Sequence, residues 1–225
     1  MSLRSNNCHM LVSSLPALPP RFDVDRLPIT LERLQARLRM LEAEDAAEIR
    51  RMLEVLRWAN QFEESSDAAV VKRYGELMQA VSNPLVRETL EFGMDVRMVG
   101  VALRCRRLGL GAPEVGMGRW FEHVRRHFSE PDLRLSHVFP QILEAVRLLE
   151  QGDLLELYRR YLLGAPWAYL KKRADGYTFS FEAVVLYIAR WDIIRRWLQL
   201  QPERGREIFE TLVTEALGEH ANIYS

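Results

Sequence analysis

Apolar positions recur at three- and four-residue intervals along almost the whole chain, and strand-like alternation is nearly absent; the pattern predicts an all-α protein. Leu31, Leu34, Leu38 and Leu41 form one such spine, with Thr30 placed to cap the helix. A break at Glu42–Asp45 precedes a second helix through Ile49, Leu53, Leu56 and Trp58. Asp67 is placed to cap a third, from Ala68 to about Ala80. Asn83-Pro84 opens a long fourth helix, which Gly109 and Gly111 stop. Further helices are predicted over Arg119–Phe128, over Gln141–Leu149, and from Leu154 behind Asp153 to Leu163, continuing irregularly past Pro166 to Lys172. FEAVVLYIARWDIIRRWLQL behind Ser180 predicts another, and Pro202 opens a last one ending near Gly218. Residues 1–30 differ: Pro16, Pro19, Pro20 and Pro28 predict an extended, proline-rich arm without helix.

The long helix carries the most unusual pattern. At about 100° per residue, Gly93, Arg97, Gly100, Arg104 and Arg107 fall within one stripe about 80° wide. Two apolar faces flank it: Phe92, Val96, Val99 and Leu103 on one side, and Met94, Met98, Val101, Cys105 and Leu108 on the other. A helix that is apolar on both sides packs between neighbours, so its arginines are expected in a groove and not on an open surface. Asp95 falls between the faces, and Asp192 shares the face of Phe181, Val185 and Ile188. Both carboxylates are expected to pair with arginines of these helices; for Asp192 the partners would be Arg195 and Arg196, at i+3 and i+4.

The organisation predicted is an arm over 1–30 and a helical domain over 31–225, either one bundle or two lobes, 31–111 and 141–225, joined by 112–140. SDAAVVKRYGELM and the helix after it echo GDLLELYRRYLLG and the helix that follows, both long helices finishing in an Arg pair, Arg106-Arg107 and Arg195-Arg196. Duplication and plain helical periodicity both generate such an echo.

Composition narrows the function classes. The 31 basic and 31 acidic residues balance, and the five tryptophans do not interleave with a basic patch, which argues against a nucleic-acid partner. Only Lys72, Lys171 and Lys172 among the basic residues are lysines, and arginine suits half-buried bidentate ion pairs. Cys8 and Cys105 provide no disulfide framework, as expected in a reducing cytoplasm. No apolar signal core and no 18-residue apolar run is present, so no membrane span is expected.

Candidate chemistry is sparse, and no cofactor or metal is expected. His123 and His127 share one helix face, with His137 the nearest third ligand, but no Glu follows the first His as a general base would. GLGAPEVGMG follows a helix and lacks a Gly-Lys-Ser/Thr ending, which excludes a phosphate-binding loop. Ser13-Ser14 and Ser65-Ser66 have no His or Asp constellation, and Glu63-Glu64 reads as loop solvation. The expectation is a protein that is not an enzyme.

Three segments carry a resemblance: MLVSSLPALPP with LPIT, DVRMVGVALRCRRLGLGAP, and FSFEAVVLYIARWDIIRRW. Together they resemble a bacterial family encoded among V/A-type ATPase genes. The central segment is similar to the repeat signature of the V/A-type ATPase C subunit (the d subunit in eukaryotes), an Asp ahead of a helix that ends in an Arg-rich Leu-Gly turn. Asp95, Arg104, Leu108 and Gly109 stand at the matching positions, while Arg97 and Met98 stand where that signature has Asn. The resemblance implies an all-helical, non-catalytic subunit that seats the central rotor shaft on the membrane c-ring. The chain has room for roughly two of the repeats, which implies a reduced version. Gly93, Arg97, Gly100, Arg104, Arg107, Arg195 and Arg196 would then form a partner-docking surface, with the protein cytoplasmic and peripheral at the inner membrane face. The rival expectation is a free helical adaptor or assembly factor that binds one partner helix.

Overall fold

A computed structural model describes residues 3–58 and 67–200. Among these the chain is all-α: α1 (Leu3–Ser14), α2 (Leu31–Leu38), α3 (Ala43–Trp58), α4 (Asp67–Gln79), α5 (Pro84–Arg107), α6 (Phe121–Arg126), α7 (Ile142–Gln151), α8 (Leu154–Leu157), a π-helical turn (Tyr158–Leu163), α9 (Gly164–Ala174) and α10 (Phe181–Gln199). The helix predicted from Pro202 lies outside the described residues.

Four of the expected caps form, at Thr30, Asn83, Asp153 and Ser180, while Asp67, expected as a cap, is the first residue of α4. Thr30, Asp153 and Ser180 each accept a backbone N–H from the first turn of α2, α8 and α10. Asn83 Oδ1 accepts from both Leu85 and Val86 at 2.9 and 3.1 Å, ahead of Pro84 at the first turn of α5. At the other end of α5, Gly109 takes φ +71, letting Gly109 N–H reach Arg106 O and Leu110 N–H reach Cys105 O in a Schellman closure.

The arm is a correction. Residues 3–14 are helical, because the four prolines all lie beyond Ser14 and remove helix only downstream of it. Cys8 and Leu11 are buried against α3 and α10, and Arg37 donates to the Ser14 carbonyl at 2.8 Å, closing the end of α1. Residues 15–30 then run as a strap: Phe22 packs on Trp167 and Trp197, and Asp23 pairs with Arg159 at 3.2 Å.

Helices α5 and α10 pass through two hydrophobic cores. One joins Leu11, Met52, Val55, Leu77, Val86 and Leu90 to Val184, Val185 and Ile188. The other joins Val99 and Leu103 to Phe139, Ile142, Leu149, Tyr161, Leu163 and Ile193. Each core draws from both 31–111 and 141–200, so the two stretches share their interiors and do not pack as separate lobes. The sequence echo is not repeated in shape either: α4 is a regular helix, whereas the matching stretch runs from α8 into the π turn. Pro166 explains that turn. It has no N–H for the Leu162 carbonyl and its ring would clash there, so the preceding turn widens.

Glu48 fastens α3 to the start of α5. Its carboxylate, 4% exposed, accepts from the N–H groups of Ser82 and Asn83 at 2.8 and 2.6 Å, from the Ser82 hydroxyl at 3.0 Å, and from Arg51 at 2.7 Å. Burial pushes this carboxyl up, but the donors from Asn83, Arg51 and Ser82 outweigh it and hold it below its ordinary value. A carboxylate so depressed stabilises the fold above its unfolded-state pKa, and that stability is lost as pH falls through the folded value. Glu48→Ala is expected to lower the unfolding free energy by about 2–3 kcal/mol at pH 7 in urea titration, because two backbone N–H groups lose their acceptor. Glu54→Ala, which removes an exposed partner of Arg73, is expected to cost under about 1 kcal/mol.

Candidate functional site

Helix α5 presents its three faces to three different surroundings. The Phe92–Val96–Val99–Leu103 face is inside the second core, Val99 fully buried and Phe92 stacked on Tyr169 with centroids 4.0 Å apart. The opposite face begins buried at Met94 and Met98 and opens along the helix until Leu108 is 53% exposed. There Met98, Val101 and Cys105, with Val70 of α4 and Leu110 and Val115 of the following loop, line an apolar groove of about 450 Å³.

The Gly/Arg stripe divides along its length. Gly93 and Arg97 border a small cavity, about 50 Å³, that α5 shares with α9 and α10. A Cβ added at Gly93 would meet nothing within 4 Å, so this glycine faces open room. Gly100 is buried and Arg104 half-buried, while Arg107 is exposed at the helix end. Burial pushes the Arg97 guanidinium down to about 10; Arg196 presses the same way, against Tyr158 and Asp192, and the group stays cationic at neutral pH.

Asp192 is ion-paired as expected. It is 3% exposed, and its Oδ1 accepts from Arg195 Nη2 at 2.6 Å and Nε at 3.1 Å. Arg196 Nε stands 3.1 Å from Oδ2.

Asp95 is the second correction. Its hydrogen bonds come from backbone N–H groups and not from arginine side chains: Oδ1 accepts the Trp120 N–H at 3.1 Å, and the Arg119 N–H also bonds to the carboxylate. The reason is geometric and readable in the sequence, since Asp95 stands about 200° round the helix from Arg97. Gly118 makes the contact possible. It has φ +96, and a Cβ there would fall 2.4 Å from Asp95 Oδ1. Burial pushes the Asp95 carboxyl up to about 6, the Trp120 and Arg119 N–H groups pull it back, and Glu91 raises it further.

Residues beyond those the sequence pattern singled out complete the surroundings. Arg106 reaches across to the linker, donating to the carbonyls of Phe128 at 3.4 Å, Glu130 at 2.5 Å and Pro131 at 2.7 Å. This holds a segment in which Leu133 and Arg134 both take φ 53, a left-handed pair that non-glycine residues adopt only under external support. Asp132 supplies part of that support, accepting from Arg134 N–H at 3.0 Å and the Ser136 hydroxyl at 2.5 Å. In the sequence, Arg106 shows only as a cation in a last helical turn, with no hint of its reach. His123 Nε2 sits 3.1 Å from the Leu133 carbonyl, its ring 4.4 Å from His127; His137 lies across Trp120, 6.3 Å from the indole. Among the described residues no three His, Cys, Asp or Glu side chains gather as a metal site would require.

Fold and site together define an all-α bundle protein whose central helix carries a buried arginine–carboxylate seam on one side and an apolar groove on another. Residues 52–219 match the family described as a protein of unknown function (DUF2764), and the chain belongs to that family. No curated protein and no solved structure matches it.

Two outcomes follow from this geometry. Because the folded pKa of Asp95 is raised, the native state binds its proton more tightly than the unfolded chain, and its contribution to stability falls as pH rises from about 4 through about 6. In urea titrations from pH 4 to 7, wild type is expected to lose roughly 2–3 kcal/mol relative to Asp95→Asn; parallel profiles would count against the buried carboxylate. Arg106→Ala is expected to speed amide hydrogen exchange over residues 128–135 by about tenfold or more, with little change at Val99 and Leu103.

Proposed function

We propose that this protein is a non-catalytic coupling component of a bacterial V/A-type ATPase, similar to its C subunit and linking the central rotor shaft to the membrane c-ring. The observation that carries the reading is the signature Asp95, Arg104, Leu108 and Gly109 on and just after α5, together with what two of those residues do. Gly109 starts the loop after α5 and Asp95 ties down its far end at Trp120, so the signature closes one loop back onto one helix. A coupler needs helices that share cores and so move as one body, and α5 and α10 run through both cores. It needs no span of its own, and no described helix is long and apolar enough to cross a membrane. In this reading the protein is cytoplasmic and peripheral at the inner face of the membrane, and torque passes through packed helices. Of the arginines expected at the docking surface, Arg107 is exposed at the end of α5 and faces the shaft in this reading through charge-assisted hydrogen bonds, whereas Arg195 and Arg196 hold Asp192 and Arg97 borders an internal cavity.

The second reading, a free helical adaptor or assembly factor, is favoured by the groove along Met98, Val101 and Cys105, whose apolar lining suits the apolar face of one partner helix.

Tagged protein is expected to retain the ATPase rotor components on purification, and native mass spectrometry to find it at fixed stoichiometry. Arg107→Glu is expected to weaken retention about tenfold with an unchanged melting curve. A complete, active ATPase that lacks the chain would sink the coupling role, and substoichiometric association would favour the adaptor.

A further inference from the structure

The apolar groove beside α5 has one wall built from helices and one that is hydrogen-bonded to the helices only at its ends. Met98, Val101 and Cys105 of α5, with Val70 and Val71 of α4, form the first; residues 109–117 form the second. None of residues 109–119 is buried, and among the described residues 111–118 make no backbone–backbone hydrogen bond. A stretch of that kind belongs to the least stable part of a fold, the part that opens first. The turn at Gly109 fixes its start. Midway, Gly116 rests on Met98 and the Phe121 ring, an apolar contact with no directional bond. The far end rests on Asp95, whose Oδ1 accepts the Trp120 N–H at 3.1 Å. The Gly118 backbone lies directly on that carboxylate, so close that an added Cβ would fall 2.4 Å from the same oxygen.

With the loop over it, Asp95 is 3% exposed. The charged and titratable groups that face it come from four elements: Glu91 of α5 itself, Arg119 of the loop, Tyr74 of α4 and Tyr161 of the π-helical turn. Burial raises the carboxyl, the Trp120 and Arg119 N–H groups lower it, Glu91 raises it and the Arg119 charge lowers it, and the outcome is about 6. Burial pushes the Tyr74 and Tyr161 hydroxyls upward, so both stay neutral through this range. Lifting the loop returns Asp95 to water, where such a carboxyl titrates near about 4. The proton is therefore bound more tightly with the loop down than with it lifted. Protonation holds the loop down, and ionisation favours its lifting.

We propose that residues 110–119 are a movable wall of the apolar groove and that Asp95, under Gly118 and Trp120, is its pH-sensitive latch, closed when protonated and released as it ionises. Release widens the groove along Met98, Val101 and Cys105 as pH rises toward neutral, without disturbing the two cores. The device stands on the loop and its latch and does not depend on which complex the chain joins.

Amide hydrogen exchange of the full chain, read residue by residue by NMR, tests the latch. The protection of the Trp120 amide is its exchange rate set against that of an unstructured peptide at the same pH. In wild type it is expected to fall about tenfold from pH 5 to pH 7.5. In Asp95→Asn, which keeps the shape and an acceptor oxygen without the charge, it is expected to stay flat. Val99, inside the second core, is expected to remain at least about a hundredfold better protected than Trp120 throughout. Gly118→Ala crowds the latch and strains the backbone, and is expected to lower Trp120 protection at every pH; if it does not fold, Asp95→Asn still decides. Alkylation of Cys105 by N-ethylmaleimide reads the groove. Taken as the ratio of wild-type to Asp95→Asn rates at each pH, so that thiol ionisation cancels, it is expected to rise about five- to tenfold over the same range. Parallel Trp120 profiles in the two proteins, or Trp120 protection no lower than that of Val99, overturns the latch. A flat alkylation ratio overturns the movable wall.

Discussion

Helix α5 has almost no solvent face, and the polar groups along it must be answered from within the chain. Over Leu85–Leu103 most of its residues are buried, with a core on either side, so a charge on one of those buried faces cannot turn to water. Removing an ion from water costs several kcal/mol unless other groups take over its hydrogen bonds. Much of what surrounds α5 follows from that requirement. The 109–120 loop returns to it, α10 brings a carboxylate beside its arginines, and α3 sends Glu48 to the residues just before its first turn.

Three buried carboxylates meet this constraint in different ways. Glu48 collects backbone and side-chain donors and stays readily ionised. Asp95 has backbone N–H groups, too little to offset burial and the neighbouring Glu91, and its carboxyl rises to about 6. Asp192 lies within reach of two guanidinium groups of its own helix but satisfies one oxygen far better than the other.

Shared cores through α5 and α10 join the helices to one another, while the groove leaves an apolar surface open beside α5. Arg106 and the left-handed pair at Leu133 and Arg134 show how the same arginine-rich helix end is also used internally, as a clamp on the linker.

Much of the fold was legible in the sequence, because helical periodicity and caps are local. Thr30, Asn83, Asp153 and Ser180 act within a few residues of themselves, and their roles were readable without any tertiary contact. The i+3 and i+4 spacing likewise announced the pairing of Asp192 with Arg195 and Arg196. The Asp95 expectation failed, although its angle from the stripe was available to exclude it. Its true partners, the N–H groups at 119 and 120, are backbone atoms, identical at every non-proline residue and so invisible to pattern. The arm was misread because prolines bar helix only around and after themselves. What only the tertiary structure decided is which distant segments meet: Arg106 with 128–131, Glu48 with 82–83, and the two cores threaded by α5 and α10. Those depend on how helices pack in three dimensions, and a one-dimensional pattern fixes the face a helix buries but not the neighbour it buries it against.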